Sequence, residues 1–122
     1  MPPTVRALRG ATRVDADTKE QVTERVQALV RTMLERNDIS HDDLVSIVFT
    51  ATPDLHSMFP AEAARGLGLG DVPLLCAQEL DIVGAPGRTI RVLMQITTDK
   101  ARSDLHAVYL EGTAVLRDDL PG

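Results

Sequence analysis

Between Asp17 and Asp38 the chain carries its one long amphipathic period, and this segment constrains the architecture more than any other. Asp17-Thr18-Lys19-Glu20 has the spacing of a helix-capping box, and apolar residues follow at Val22, Val26, Leu29, Val30 and Met33. That 3.6-residue recurrence predicts a helix over 18–37 with one apolar face; Lys19, Glu24, Arg25, Arg31 and Glu35 form its solvated side. Strands are predicted at Val5–Ala11, Leu44–Ala51, Val72–Gln78, Thr89–Thr97 and His106–Leu110, with Thr113–Leu116 completing the sheet. Leu44–Ala51 is apolar enough for burial on both faces. Ser40-His41-Asp42-Asp43 reads as a capped turn, and Thr52-Pro53-Asp54 ends the second strand. Pro60 opens a short helix over Ala61–Arg65, which Gly66 ends, and Gly84-Ala85-Pro86-Gly87 turns the chain. One long helix with about five strands is an α+β arrangement, a sheet with its helix on one face. A single helix cannot cover both faces, so the bare one calls for a partner, and an oligomer is expected.

Length and charge narrow the function. The 122 residues suit one domain spanning 1–122, without repeats, linkers or low-complexity tracts. The uncharged run Leu44–Thr52 is far below the ~18 apolar residues of a membrane span, and no export signal opens the chain. A cytoplasmic protein is the expectation. A net charge of −5 opposes nucleic-acid binding, and Phe49, Phe59 and Tyr109 are too few aromatics for a base-stacking platform. The single Cys76 excludes an internal disulfide and a cysteine-rich zinc site; as a lone thiol in an apolar strand it reads as core packing. His41, His56 and His106 have no metal-ligand spacing, so no metal is expected, and His41 reads as a turn residue. Gly66-Leu67-Gly68-Leu69-Gly70 follows a helix and precedes a strand, the reverse of a dinucleotide loop, and reads as a connection.

The informative pattern is arginine inside strands. Eleven of the thirteen bases are Arg, at 6, 9, 13, 25, 31, 36, 65, 88, 91, 102 and 117. A GC-rich coding sequence gives the same bias, so position must decide. Arg91 lies in Thr89-Ile90-Arg91-Val92-Leu93-Met94 and shares a strand face with Leu93 and Gln95. A guanidinium among apolar residues needs an anion. Glu79 is one partner, giving a structural ion pair; a bound carboxylate is the other. Arg9 in the first strand poses the same choice.

These residues fall into blocks. Arg9-Gly10-Ala11-Thr12, Ala51-Thr52-Pro53-Asp54-Leu55-His56 and Phe59-Pro60-Ala61 come first. Val72-Pro73, Cys76-Ala77-Gln78-Glu79, Ile90-Arg91-Val92, His106-Ala107-Val108-Tyr109-Leu110-Glu111 and Val115-Leu116-Arg117 follow. In this order, from about Val5 to Leu120, they resemble the monofunctional trimeric chorismate mutases of the pseudo-α/β-barrel class. The resemblance implies a mixed five-stranded sheet with one long helix and short helical turns. It implies a homotrimer with sites between subunits, and the Claisen rearrangement of chorismate to prephenate toward phenylalanine and tyrosine. By matching position, Arg9 and Tyr109 would bind the substrate's side-chain carboxylate, and Arg91 its ether oxygen and a carboxylate. Glu79 would hold the ring hydroxyl, with Cys76 close by. Phe59, Ala61, Leu74 and Leu116 would form apolar walls. Arg65 and Arg117 would guard the entrance, Arg117 from a mobile C-terminal tail. Phe59, Ala61 and Arg65 would face a site completed by the neighbouring subunit. Where family members carry Lys beside the wall alanine, this chain has Glu62, which weakens attraction for a dianion unless it points outward or pairs with Arg65.

The implied reaction breaks a C–O bond and makes a C–C bond within one molecule, so it requires no cofactor, nucleophile or proton shuttle. Fixing the compact conformer and stabilising charge on the ether oxygen suffice. Two other readings fit a trimer of this fold: an enamine/imine deaminase-like hydrolase, whose characteristic motifs are missing here, and a non-catalytic small-anion-binding trimer.

Overall fold

A computed structural model describes residues 3–117. Strand β1 (Thr4–Arg13) is followed by helix α1 (Lys19–Arg36), β2 (Leu44–Ala51), the short α2 (Pro60–Arg65), β3 (Leu74–Gln78), β4 (Thr89–Thr98) and β5 (Val108–Tyr109). Single 3-10 turns occupy His41–Asp43, Arg102–Asp104 and Thr113–Arg117. The five strands form one mixed sheet in the order β3-β2-β4-β1-β5. Central β4 runs antiparallel to both neighbours, while β2–β3 and β1–β5 are parallel pairs.

The helix forms where the apolar period lies. Thr18 caps it by accepting from the Gln21 backbone N–H at 3.1 Å. The Gln21 amide oxygen reaches past the cap to the backbone N–H groups of Asp15 and Ala16, so the reciprocal half of a capping box is displaced upstream. Asp17 accepts instead from the backbone N–H groups of His56 and Ser57, at 2.9 and 3.1 Å, tying the loop before α2 to the start of α1. Val22, Val26, Leu29, Val30 and Met33 are all buried. They share a core with Leu8, Ile47, Phe49, Ile90, Val92, Met94 and Ile96; burying each such side chain contributes about 1.5–3 kcal/mol. Gly10 lets α1 approach β1 closely, since a Cβ there would lie 2.5 Å from Met33 Sδ and the methionine side chain would have to shift.

Within one chain β2 encloses Ile47 and Phe49 on its helix side and leaves its other side chains partly exposed. Two expectations need correction. β3 begins at Leu74 rather than Val72, since Val72 closes a turn onto Leu69 and Pro73, which has no N–H, contributes only its carbonyl, to Ile47. Thr113–Leu116 is a 3-10 turn, not a strand. Glu111 and Gly112, at φ 56° and 79°, turn the chain out of β5. The Thr113 hydroxyl then donates to the Leu110 and Ala11 carbonyls at 2.7 and 3.1 Å, a local bond that competes with strand formation.

Candidate active site

Both helices lie on one face of the sheet. The other face is bare within the chain and leaves Leu75 and Leu93 62% and 43% exposed. Strand register sets one row across it: Ala77, Thr50, Arg91, Ala11 and Tyr109 from five successive strands. The adjoining row is Leu75, Val48, Leu93 and Arg9. Arg9 is thus diagonal to Arg91, and the two cations sit over an apolar floor.

Glu79 joins them from the end of β3, where its N–H extends the ladder to Ala51 O at 2.9 Å. Its carboxylate accepts from the Thr50 hydroxyl and lies 3.2 Å from Arg91 Nε. The sequence choice for Arg91 is therefore resolved in part: the Glu79 pair exists. The Arg91 side chain is nevertheless 45% exposed within one chain, so it is not the buried ion the strand pattern suggested. Arg9 has no acidic partner among the described residues. Together with Tyr109 and Leu116 these side chains line a cavity of about 260 Å³. The Tyr109 hydroxyl is buried there without a hydrogen-bond partner among the described residues, an arrangement costing about 1–3 kcal/mol unless a ligand supplies one.

The remaining candidates lie elsewhere. Cys76 is paired with buried Phe49, and both it and Leu74 turn toward the helix-side core, on the opposite face from Glu79 and Arg91. The thiol is half-buried and accepts from the Ala61 N–H at 3.4 Å. A second cavity of about 640 Å³ opens there, lined by Phe59, Cys76, Gln78, Glu62, Lys19 and His56 among others. Phe59 projects into solvent, 68% exposed, whereas Ala61 is buried and Arg65 exposed at the end of α2. Glu62 is exposed and forms no ion pair with Arg65 among the described residues. Arg117 ends the last 3-10 turn; the tail beyond it, with the mobility expected of it, lies outside the described residues. One chain thus holds two separate groups. Arg9, Arg91, Glu79, Tyr109 and Leu116 are on the bare face; Phe59, Ala61, Leu74, Cys76 and Arg65 are around α2 and β3.

Thr50 was missed by sequence reasoning. A threonine in an apolar strand carries no signal until β2 is registered against β4, which sets it opposite Arg91. His41, read as a turn residue, caps nothing alone but lies 2.7 Å from Asp71 across the turn before β3. Among the described residues no cluster of three metal-type ligands occurs, and no helix is long and apolar enough to cross a membrane.

In this α+β fold two cations, one paired and one without an acidic partner among the described residues, lie over an apolar floor beside a hydroxyl that also lacks a partner among them, a set of groups suited to a small anion. The comparisons with known proteins narrow this further. The family model for chorismate mutase type I matches residues 5–120. Chorismate mutase AroH of Bacillus subtilis is 42% identical over 117 residues, 95% of this chain and 92% of the relative. Chorismate mutase AroH of Thermus thermophilus is 44% identical over 117 residues, 95% and 96% of the two chains. A solved chorismate mutase from Clostridium thermocellum superimposes with a TM-score of 0.88 at 42% identity, covering 90% of this chain and 98% of that one. The chain belongs to the chorismate mutase type I family, and it is an isomerase of that kind.

Proposed function

We propose that this single-domain protein converts chorismate to prephenate in the cytoplasm, as a homotrimer whose sites combine the bare-face group of one subunit with the α2–β3 group of the next. Arg9 and Tyr109 hold the side-chain carboxylate. Arg91 reaches the ether oxygen and a carboxylate, and Glu79 the ring hydroxyl. Cys76 and the walls Phe59, Ala61 and Leu74 come from the neighbour, Leu116 from the first subunit. Arg65 and Arg117 attract the ring carboxylate at the entrance. The observation that carries this reading is the cluster of Arg91–Glu79, Arg9 and the Tyr109 hydroxyl in one cavity, the last two without partners among the described residues.

The chemistry follows from that cluster. The C–O bond of the substrate breaks as the new C–C bond forms, with electrons moving round one ring and no proton transferred. Binding both carboxylates selects the compact conformer in which the reacting ends touch. The ether oxygen gains negative charge at the transition state, so the Arg91 cation stabilises that state more than the ground state. Glu79 faces the electron-poor ring and keeps Arg91 oriented. The bare apolar face gains its cover from the neighbouring subunits. The test is to follow loss of chorismate absorbance with prephenate identified as product, alongside light scattering. Turnover by a trimer is expected. Hydrolysis products, binding without turnover, or a fully active monomer would refute the reading.

A further inference from the structure

We infer that Asn37, remote from the cavity, is the positioning residue that sets Tyr109 against the substrate; this rests on the role proposed for Tyr109. β5 is paired over only Val108 and Tyr109, too short to hold itself in register. Three residues before Tyr109, the chain is gripped from the far end of α1. Asn37 is 1% exposed, and its side chain behaves like a neighbouring strand. Its amide oxygen accepts from the His106 N–H at 2.7 Å, and its Nδ2 donates to the His106 carbonyl at 2.9 Å. Nδ2 also donates to Met33 O at 3.0 Å, and Lys100 Nζ donates to the Asn37 carbonyl at 2.6 Å. One buried amide therefore fixes both polar groups of His106 to the helix that packs under the sheet. Downstream, Leu110 N–H donates to Ala11 O at 2.9 Å and the Thr113 hydroxyl joins it at 3.1 Å. Tyr109 is held between these two anchors. Its hydroxyl has no hydrogen-bond partner among the described residues, so the ring's position is set by the backbone that carries it and by its packing in the cavity.

Tyr109 is the one tyrosine in a chain without tryptophan, and its near-ultraviolet circular dichroism reports its packing directly. Asn37→Ala should lose at least half of that signal in an assembled protein. It should raise KM by ~10-fold while kcat falls less than ~3-fold, the pattern of a displaced binding group rather than a lost transition-state contact. In a Tyr109→Phe background the same change should raise KM less than ~2-fold, because the group it positions is already gone. Asn37→Asp keeps the acceptor for the His106 N–H but sets a buried carboxylate oxygen against the His106 and Met33 carbonyls, so it should lose the tyrosine signal and raise KM at least as much as Asn37→Ala. An unchanged tyrosine signal, or an equal KM penalty in both backgrounds, would overturn the inference. Tyr109→Phe with unaltered KM would instead overturn the role of Tyr109, and with it the kinetic consequence of Asn37, while leaving the spectroscopic link intact. Should neither Asn37 variant assemble, hydrogen exchange in the unaltered protein decides: the His106 amide should exchange as slowly as that of Leu110, and faster exchange would refute the clamp.

Discussion

Replacing Arg91 with Met separates catalysis from stability, because its ion pair and the role proposed for it in the reaction predict effects of very different sizes. The side chain is 45% exposed and its ion pair to Glu79 spans 3.2 Å; such a partly solvated pair contributes about 0–1 kcal/mol to folding. Glu79 keeps the Thr50 hydroxyl as a partner, and Met preserves the aliphatic stem over the apolar floor. In the role proposed for Arg91, the transition state loses far more. About half a unit of charge on an ether oxygen ~3 Å from the guanidinium, at an effective dielectric of ~20, interacts by about 3 kcal/mol. That is ~10²-fold in rate, at the lower end of the ~10²–10³ lost with an oxyanion-hole donor. The assay is initial-rate loss of chorismate absorbance on protein shown by light scattering to retain its assembly. Arg91→Lys keeps charge without the planar fork, so it should be impaired but less so than Met. An assembled Arg91→Met protein turning over within tenfold of the parent would refute electrostatic stabilisation by this residue.

Cys76→Ser should retain most activity, because the reaction needs no thiolate and the sulfur packs toward the core; a covalent intermediate trapped by mass spectrometry would contradict this. Truncation from Arg117 onward should raise KM more than it lowers kcat, and a kcat loss matching that of Arg91→Met would refute an entrance role. Asp54 accepts from the Thr52 hydroxyl at 2.5 Å and from the Arg88 N–H at 2.9 Å, and these bonds hold its carboxyl below the ordinary aspartate range. Its folded pKa lies below its unfolded one, so its contribution is present above the ordinary aspartate value and is lost as pH falls through the lowered one. Urea midpoints measured from about pH 5 down to 3 should fall more for the parent than for Asp54→Asn; parallel curves would contradict the linkage.

Much of this was legible in the sequence because it depends on local pattern. Val22, Val26, Leu29, Val30 and Met33 form one helical stripe whatever surrounds them, and all five are buried. Pro60 opens α2 through its backbone alone, and the helix ends at Gly66, which keeps a right-handed conformation, with the left-handed turn following at Gly68. Strand alternation put Arg91 and Leu93 on one face, and β4 keeps that pattern. What was hidden depends on register and on distant partners. Cys76 and Glu79 are three residues apart, an odd spacing that sends them to opposite faces, a fact with meaning only once β3 is aligned with β2. Thr113–Leu116 carries strand-like residues, but the left-handed backbone at Glu111 and Gly112 redirects it. The Asn37 clamp joins positions 69 residues apart and has no local signature.

The site proposed here needs two chains, since each holds its two groups apart, and mixing two inactive variants tests this. Arg91→Met removes the bare-face cation, and Phe59→Asp sets an anion at the exposed wall of the other group, where it repels a dianion. If sites form between neighbours of a trimer, unfolding and co-refolding the two in equal amounts should leave about a quarter of the interfaces with both groups intact. Activity near that fraction of the parent's is the predicted result. Mixed trimers, verified by native mass spectrometry, that remain as inactive as either variant alone would contradict the account.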